Sequence, residues 1–243
     1  MTPFFMAWGM FCALPCPVKK WDSSRTVGML LCFPLIGLLI GALWSGAALL
    51  VSLWGKGMAA SLLLGVFPAL LSGFIHLDGY MDCADAVLSR RDLPERQRIL
   101  KDSRVGAFAV IALVLWALSG FALFADMPLQ GRELCLLFLP AAVRSVTAFS
   151  VLSLSPMASS SYAALPRPVS RGKRLTALGE ALLFSVLPLV LCGLPGLAVP
   201  AAAAVTALAV FALSRNLGGM NGDISGCALT LGELAGVLAL TLL

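Results

Sequence analysis

The sequence predicts an all-α fold: a polytopic integral membrane helical bundle of about seven transmembrane helices, with a short interfacial or re-entrant helix at the N-terminus. Three observations predict it. The 243 residues are 60% hydrophobic and only 12% charged, where a soluble domain is about 25% charged. Mean hydropathy is +0.96, and a chain of this length has too little interior to hide so much apolar surface. Apolar runs near the ~20 residues needed to cross a bilayer recur between short polar segments. The length suits one domain, residues 1–243, catalytic if the polar segments carry a site.

The first element is the stretch "MTPFFMAWGMFCALPCPVKK". Its apolar run is only about a dozen residues, and it lacks a basic n-region and a small-residue cleavage pattern, so it reads as a short interfacial or re-entrant helix and not a signal peptide. Spanning runs follow at 29–53, 58–77, 105–125, 133–155, 176–194, 196–214 and 226–243. Only a "GLPG" turn separates the pair around Pro195. Internal Gly and Pro are tolerated in such helices. The segment 155–174, "SPMASSSYAALPRPVSRGKR", reads as a polar loop with a basic end.

Orientation follows from the basic residues. Loops 1–28, 78–104, 156–175 and 215–225 hold fourteen of the seventeen Lys and Arg residues; the opposite loops hold Lys56 and Arg132, and Arg144 lies within a span. The N-terminus and all the long polar loops are therefore expected on the cytoplasmic face of the cell (inner) membrane. The net charge of +5 is mainly this orientation signal. Nothing points to nucleic acid, because the basic residues lack aromatic interleaving and a binding-motif spacing. The seven cysteines lie mostly in apolar runs without CxxC spacing, which argues against a disulfide framework.

Chemistry concentrates in "HLDGYMDCADAVLSRRDLPERQRILKDSRVGAF", residues 76–108. On a helix continuing through 85, at ~100° per residue, Asp78, Asp82 and Asp85 share an arc of about 60° over about 10 Å of axis. Like charges so placed destabilise a helix, and more so at a membrane boundary, unless a cation sits among them. Oxygen-only ligands suit a hard ion, Mg²⁺ or its substitute Mn²⁺. Asp102, on the next helix, returns to the same depth as the three. Lys101 and Arg104 flank it and suit substrate phosphate; the other Arg residues of the segment suit headgroups. His76, the sole histidine, is a candidate proton carrier or a group bracing the metal ligands. A second polar island, "RNLGGMNGDISG" (215–226), offers Gly219, Asn221 and Asp223 as another wall for substrate. Arg144, costly inside a span, needs an acidic partner or a phosphate; the roles of Glu180 and Glu233 stay open.

With these residues quoted, the sequence resembles the cobalamin synthase family, the adenosylcobinamide-GDP ribazoletransferases. That family carries H-x-D-G-x-x-D-x-x-D followed by K-D-S-R-x-G, which His76, Asp78, Gly79, Asp82, Asp85, Lys101, Asp102, Ser103, Arg104 and Gly106 fit. "ALPCPVKKW", "FPLIGLLIG" and "GGMNGD" extend the resemblance over most of the chain. Two positions depart from the pattern: Asn221 stands where Thr is usual, and Thr230 where an acidic residue is usual. The resemblance implies Mg²⁺-dependent transfer of the adenosylcobinamide-phosphate group from adenosylcobinamide-GDP to α-ribazole or its 5′-phosphate. GMP is released and adenosylcobalamin or its 5′-phosphate is formed, late in cobalamin biosynthesis. It implies metal at Asp78, Asp82, Asp85 and Asp102, catalytic roles for Asp102 and His76, and substrate contacts from Lys101, Ser103, Arg104, Arg144, Gly219, Asn221 and Asp223. Both substrates and the bilayer are the expected partners, and a homo-oligomer or a complex with other cobalamin-assembly enzymes is compatible with them.

Two alternatives compete with this reading. A CDP-alcohol phosphotransferase expects D-G-x-x-A-R, and here Asp82 and Cys83 stand in place of Ala-Arg. A cation-coupled transporter predicts mid-bilayer charges and paired halves, whereas these aspartates sit at an edge and no repeat is visible.

Overall fold

The computed structural model describes residues 2–165 and 168–243; Pro166 and Arg167, within the segment read as a polar loop, lie outside the described residues. The chain is an all-α polytopic membrane bundle. Helix α1 (Thr2–Phe11) is the short N-terminal element, and α2 (Thr26–Leu31) leads into α3 (Phe33–Trp54). Then come α4 (Met58–Leu71), α5 (Ile75–Leu88), α6 (Leu93–Ile99) and α7 (Ala107–Asp126). The carboxyl half holds α8 (Glu133–Ser153), α9 (Arg171–Cys192), α10 (Ala198–Leu217) and α11 (Gly222–Leu242). Among the described residues six helical segments are long and apolar enough to cross a membrane, and α4 with α5 makes a seventh if the bent pair is one span.

Helix α8 is the centre. It is buried on nearly all faces and packs against α3, α9, α10 and α11, as an all-round apolar helix must. Gly37 and Gly41, one turn apart on α3, lie so close to α8 that a Cβ at Gly41 would sit 2.1 Å from the Leu137 carbonyl oxygen; small residues at this spacing let membrane helices meet backbone to backbone. By contrast α7 presents Val110, Ile111, Val114, Leu115 and Leu118 outward as a lipid-facing stripe. All seven cysteines are free.

The second span corrects the expectation of one run over 58–77. Helix α4 ends at Leu71 and α5 departs at 93° to it. Gly73 and Phe74 both adopt left-handed backbone, with φ of 64° and 63°, and two such residues in succession cannot continue a right-handed helix. The three aspartates therefore share one helix, but a separate one, packed on α11 and α7. The polar island over 215–226 is also shorter than expected. Residues 215–217 finish α10, and Asn221 already caps α11, its side-chain oxygen accepting the Ile224 N–H at 2.9 Å.

Candidate active site

The site is built where α5 meets the start of α11. Two glycines make the meeting possible. A Cβ on Gly79 would lie 2.8 Å from the Cα of Asp223, and one on Gly226 would lie 2.8 Å from the carbonyl oxygen of His76. Both neighbours are backbone and cannot yield, so only glycine permits this approach. The contact brings Asp223 beside the acidic face of α5, where Asp82 is within electrostatic reach of Asp78, Asp223 and Asp85. Asn221 orients the newcomer: its Nδ2 donates to Asp223 Oδ2 at 2.7 Å.

The four aspartates expected at one metal have different surroundings. Asp85 is buried, and its two carboxylate oxygens accept backbone N–H groups from Gly106 at 2.7 Å and Ala109 at 2.9 Å. It caps α7 from another helix. Asp102 accepts from Arg104 through Nε at 3.0 Å and Nη2 at 2.9 Å, with Arg98 at 3.7 Å. The side-chain and backbone hydrogen bonds from Arg104 hold its carboxyl down to about 2. Asp78 and Asp82 have no ion pair among the described residues. The wall of carboxylates without a cationic partner is thus Asp78, Asp82 and Asp223.

The remaining expected residues are placed as follows. Lys101, Ser103 and Arg104 are exposed on the segment that Asp85 holds through Gly106. Helix α6 docks on the end of α10, where Arg96 donates to Asn216 and Gln97 donates to the Leu217 carbonyl at 2.8 Å, so the basic segment lies against the second polar island. Gly219, with φ of 141°, packs against the backbone of Met157, and that turn is pinned to the 155–157 strand-like bridge. Arg144 is fully buried and pairs with Glu233 at 2.7 Å, its guanidinium 5.5 Å from the Phe33 ring centroid. It meets an acidic side chain, one of the two partners its burial required.

A mostly enclosed cavity of about 180 Å³ opens at this wall. Asp78 and Asp223 line it, and His76 forms part of its side, stacked on Phe11 at 5.9 Å and edge-on to Phe33 at 5.7 Å. Tyr162, Thr147 and Ser225 also line it. Nothing in the sequence marked these three, because each looks like an ordinary small-loop or apolar-helix residue until α1, α8 and α11 converge.

Fold and site define a polytopic membrane enzyme with an acidic, oxygen-rich wall at one edge of its bundle. The family model described as cobalamin-5-phosphate synthase matches residues 3–241, and the chain belongs to that family. The adenosylcobinamide-GDP ribazoletransferase of Clostridium perfringens (strain 13 / Type A) is 35% identical, covering 97% of this chain and 95% of the relative. That of Pseudomonas putida is 37% identical over 100% of this chain and 99% of the relative, and that of Shigella boydii serotype 4 is 32% identical over 93% and 94%. No solved structure matches. The enzyme is a transferase.

Proposed function

We propose that this enzyme transfers the adenosylcobinamide-phosphate group from adenosylcobinamide-GDP to α-ribazole or its 5′-phosphate. A ribose hydroxyl oxygen bonds to the phosphorus carrying cobinamide. The bond from that phosphorus to the bridging oxygen breaks, and GMP leaves with the oxygen. The hydroxyl proton goes to a carboxylate. Asp78 suits this role, since it lines the cavity with no cationic partner among the described residues. Asp102, held ionised by Arg104, suits it less and instead fixes the loop that bears Lys101 and Arg104, whose charges suit the diphosphate.

The donor set suits a hard cation. Among the described residues no three His, Cys, Asp or Glu side chains are arranged to hold a metal by themselves, but Mg²⁺ commonly binds one or two carboxylates and completes its shell with water and substrate phosphate. Mg²⁺, or Mn²⁺ in its place, would be held by Asp82 and Asp223 and would neutralise charge developing on the diphosphate. We place the site at the inner face of the cell membrane, on the strength of the fourteen basic residues grouped in the site-side loops.

The single observation behind this reading is the convergence of Asp78, Asp82 and Asp223 through the Gly79 and Gly226 contacts, in a chain of this family. Membranes holding the enzyme, supplied with Mg²⁺, adenosylcobinamide-GDP and α-ribazole, should yield a cobalamin product and GMP in equal amounts. They should leave CDP-diacylglycerol and an alcohol unreacted. Turnover of the second pair and not the first would overturn the proposal.

A further inference from the structure

We propose that the 180 Å³ cavity beside Asp78 is the acceptor-base subsite: it takes a bicyclic aromatic base carried on a ribose, and His76 donates a ring N–H to the base's free nitrogen. This rests on the transfer reaction proposed above.

Size limits the occupant first. The cavity is smaller than the roughly 300–1,000 Å³ of sites for drug-sized ligands, so a corrin macrocycle stays outside and a single ring system can enter. The walls are suited to such a ring. Met10, Phe11, Leu30 and Phe33 supply apolar and aromatic surface, and aromatic faces stack on flat bases.

The polar groups decide which base. Four hydroxyls line the cavity. Ser161 is exposed, and the other three are engaged: Thr147 donates to the Val143 carbonyl at 2.8 Å, Ser225 donates to the Asn221 carbonyl at 3.0 Å, and Tyr162 lies 3.3 Å from the Ser225 oxygen. His76 differs. It is 7% exposed, it lines the cavity, and its Nε2 is buried with no hydrogen-bond partner among the described residues. Buried polar groups are nearly always satisfied, and among the described residues this ring is the one cavity-lining side chain with a buried polar atom left unpartnered. A base with one free ring nitrogen matches it. Guanine, whose edge carries several donors and acceptors, would leave most of them unpaired against the apolar wall. Asp78 and the exposed Ser161 stand at the mouth, so the attached ribose emerges at the carboxylate wall where its hydroxyl must react.

The test uses purified full-length enzyme in detergent, with binding of α-ribazole, α-ribazole 5′-phosphate and GMP each measured by equilibrium dialysis without donor, and KM for both substrates measured separately. His76→Leu should weaken α-ribazole and its 5′-phosphate alike, by about tenfold, the size expected for a buried hydrogen bond. His76→Gln, which can still donate, should recover much of the loss. GMP binding and KM for adenosylcobinamide-GDP should not move. Ser161→Phe, at an exposed position, should block the mouth and raise KM for α-ribazole without disturbing the core; it decides the matter if His76→Leu fails to fold. Loss of GMP binding in place of α-ribazole binding would give the cavity to the donor's guanine and overturn the proposal, as would variants that leave KM for α-ribazole unchanged. If the unmodified enzyme binds α-ribazole yet makes no cobalamin product, the reaction is wrong and the subsite stands.

Discussion

Asp85 on α5 accepts the backbone N–H of Gly106 at 2.7 Å, across 21 residues of chain. With its second bond, to Ala109 at 2.9 Å, this carboxylate caps α7 and ties the K-D-S-R-x-G segment to the acidic helix. A row of three aspartates that reads as one chemical unit is divided: Asp78 and Asp82 have no ion pair among the described residues, and the third holds a neighbouring element in place.

Asp85 and Asp82 should therefore fail differently. Asp85→Ala removes an N-terminal cap and leaves one buried and one part-buried N–H group unpaired, a loss of about 1–3 kcal/mol, seen as a lower thermal midpoint in detergent. Asp82→Asn should keep that midpoint while product formation falls to background. Equal midpoints for Asp85→Ala and the unmodified protein would remove the capping role.

The α5–α11 contact leaves no space for a methyl group. Gly226→Ala drives a Cβ to within 2.8 Å of the His76 carbonyl oxygen, an overpacking cost of about 1–3 kcal/mol. Because Asp223 and His76 part in the process, turnover should fall more steeply than stability. Comparing kcat with the thermal midpoint for Gly226→Ala against an alanine at the uncrowded Gly179 checks this.

Arg144 and Glu233 form a buried pair at 2.7 Å. Arg144→Met alone leaves the Glu233 carboxylate without its cation, which should cost about 3–5 kcal/mol. The double variant Arg144→Met with Glu233→Leu should regain most of it, since two apolar side chains of similar size need no partner. Denaturation of the two single variants and the double variant gives the coupling directly.

Asp102 sets a pH response. Arg104 holds its carboxyl at about 2, below the ordinary 3.8. The folded form thus binds its proton less readily than the unfolded chain does, so the pair stabilises above pH 3.8 and that contribution is lost as pH falls toward 2. Difference curves of thermal midpoint against pH, unmodified minus Asp102→Asn, should be flat from pH 7 to 5 and decline below 4. The amplitude should be small and salt-sensitive, as for an exposed pair.

Hydropathy alone made the bundle legible, since each span carries its own apolar run, and the helical spacing of Asp78, Asp82 and Asp85 correctly put them on one helix. The break at Gly73–Phe74 was hidden because it lies inside an unbroken apolar stretch, and composition does not report backbone handedness. The duty of Asp85 was hidden for a different reason: its partners are N–H groups of α7, which any sequence there would supply. Asn221, read as a departure where Thr is usual, is a competent cap, because both side chains present an oxygen to the first turn of a helix. Its extra amide then reaches Asp223, which a threonine could not do. The His76 cavity depends on six separate stretches of chain meeting, around residues 10, 30, 75, 150, 161 and 223, and has no linear signature.

The 93° turn after Leu71 separates two demands on the chain. A straight helix would have made the carboxylates follow every adjustment of tilt forced on the preceding segment by bilayer thickness. With an elbow of two left-handed residues between them, no continuous helix passes the tilt of the first arm to the second, and the arm that bears the carboxylates takes its direction from its packing on α11 and α7.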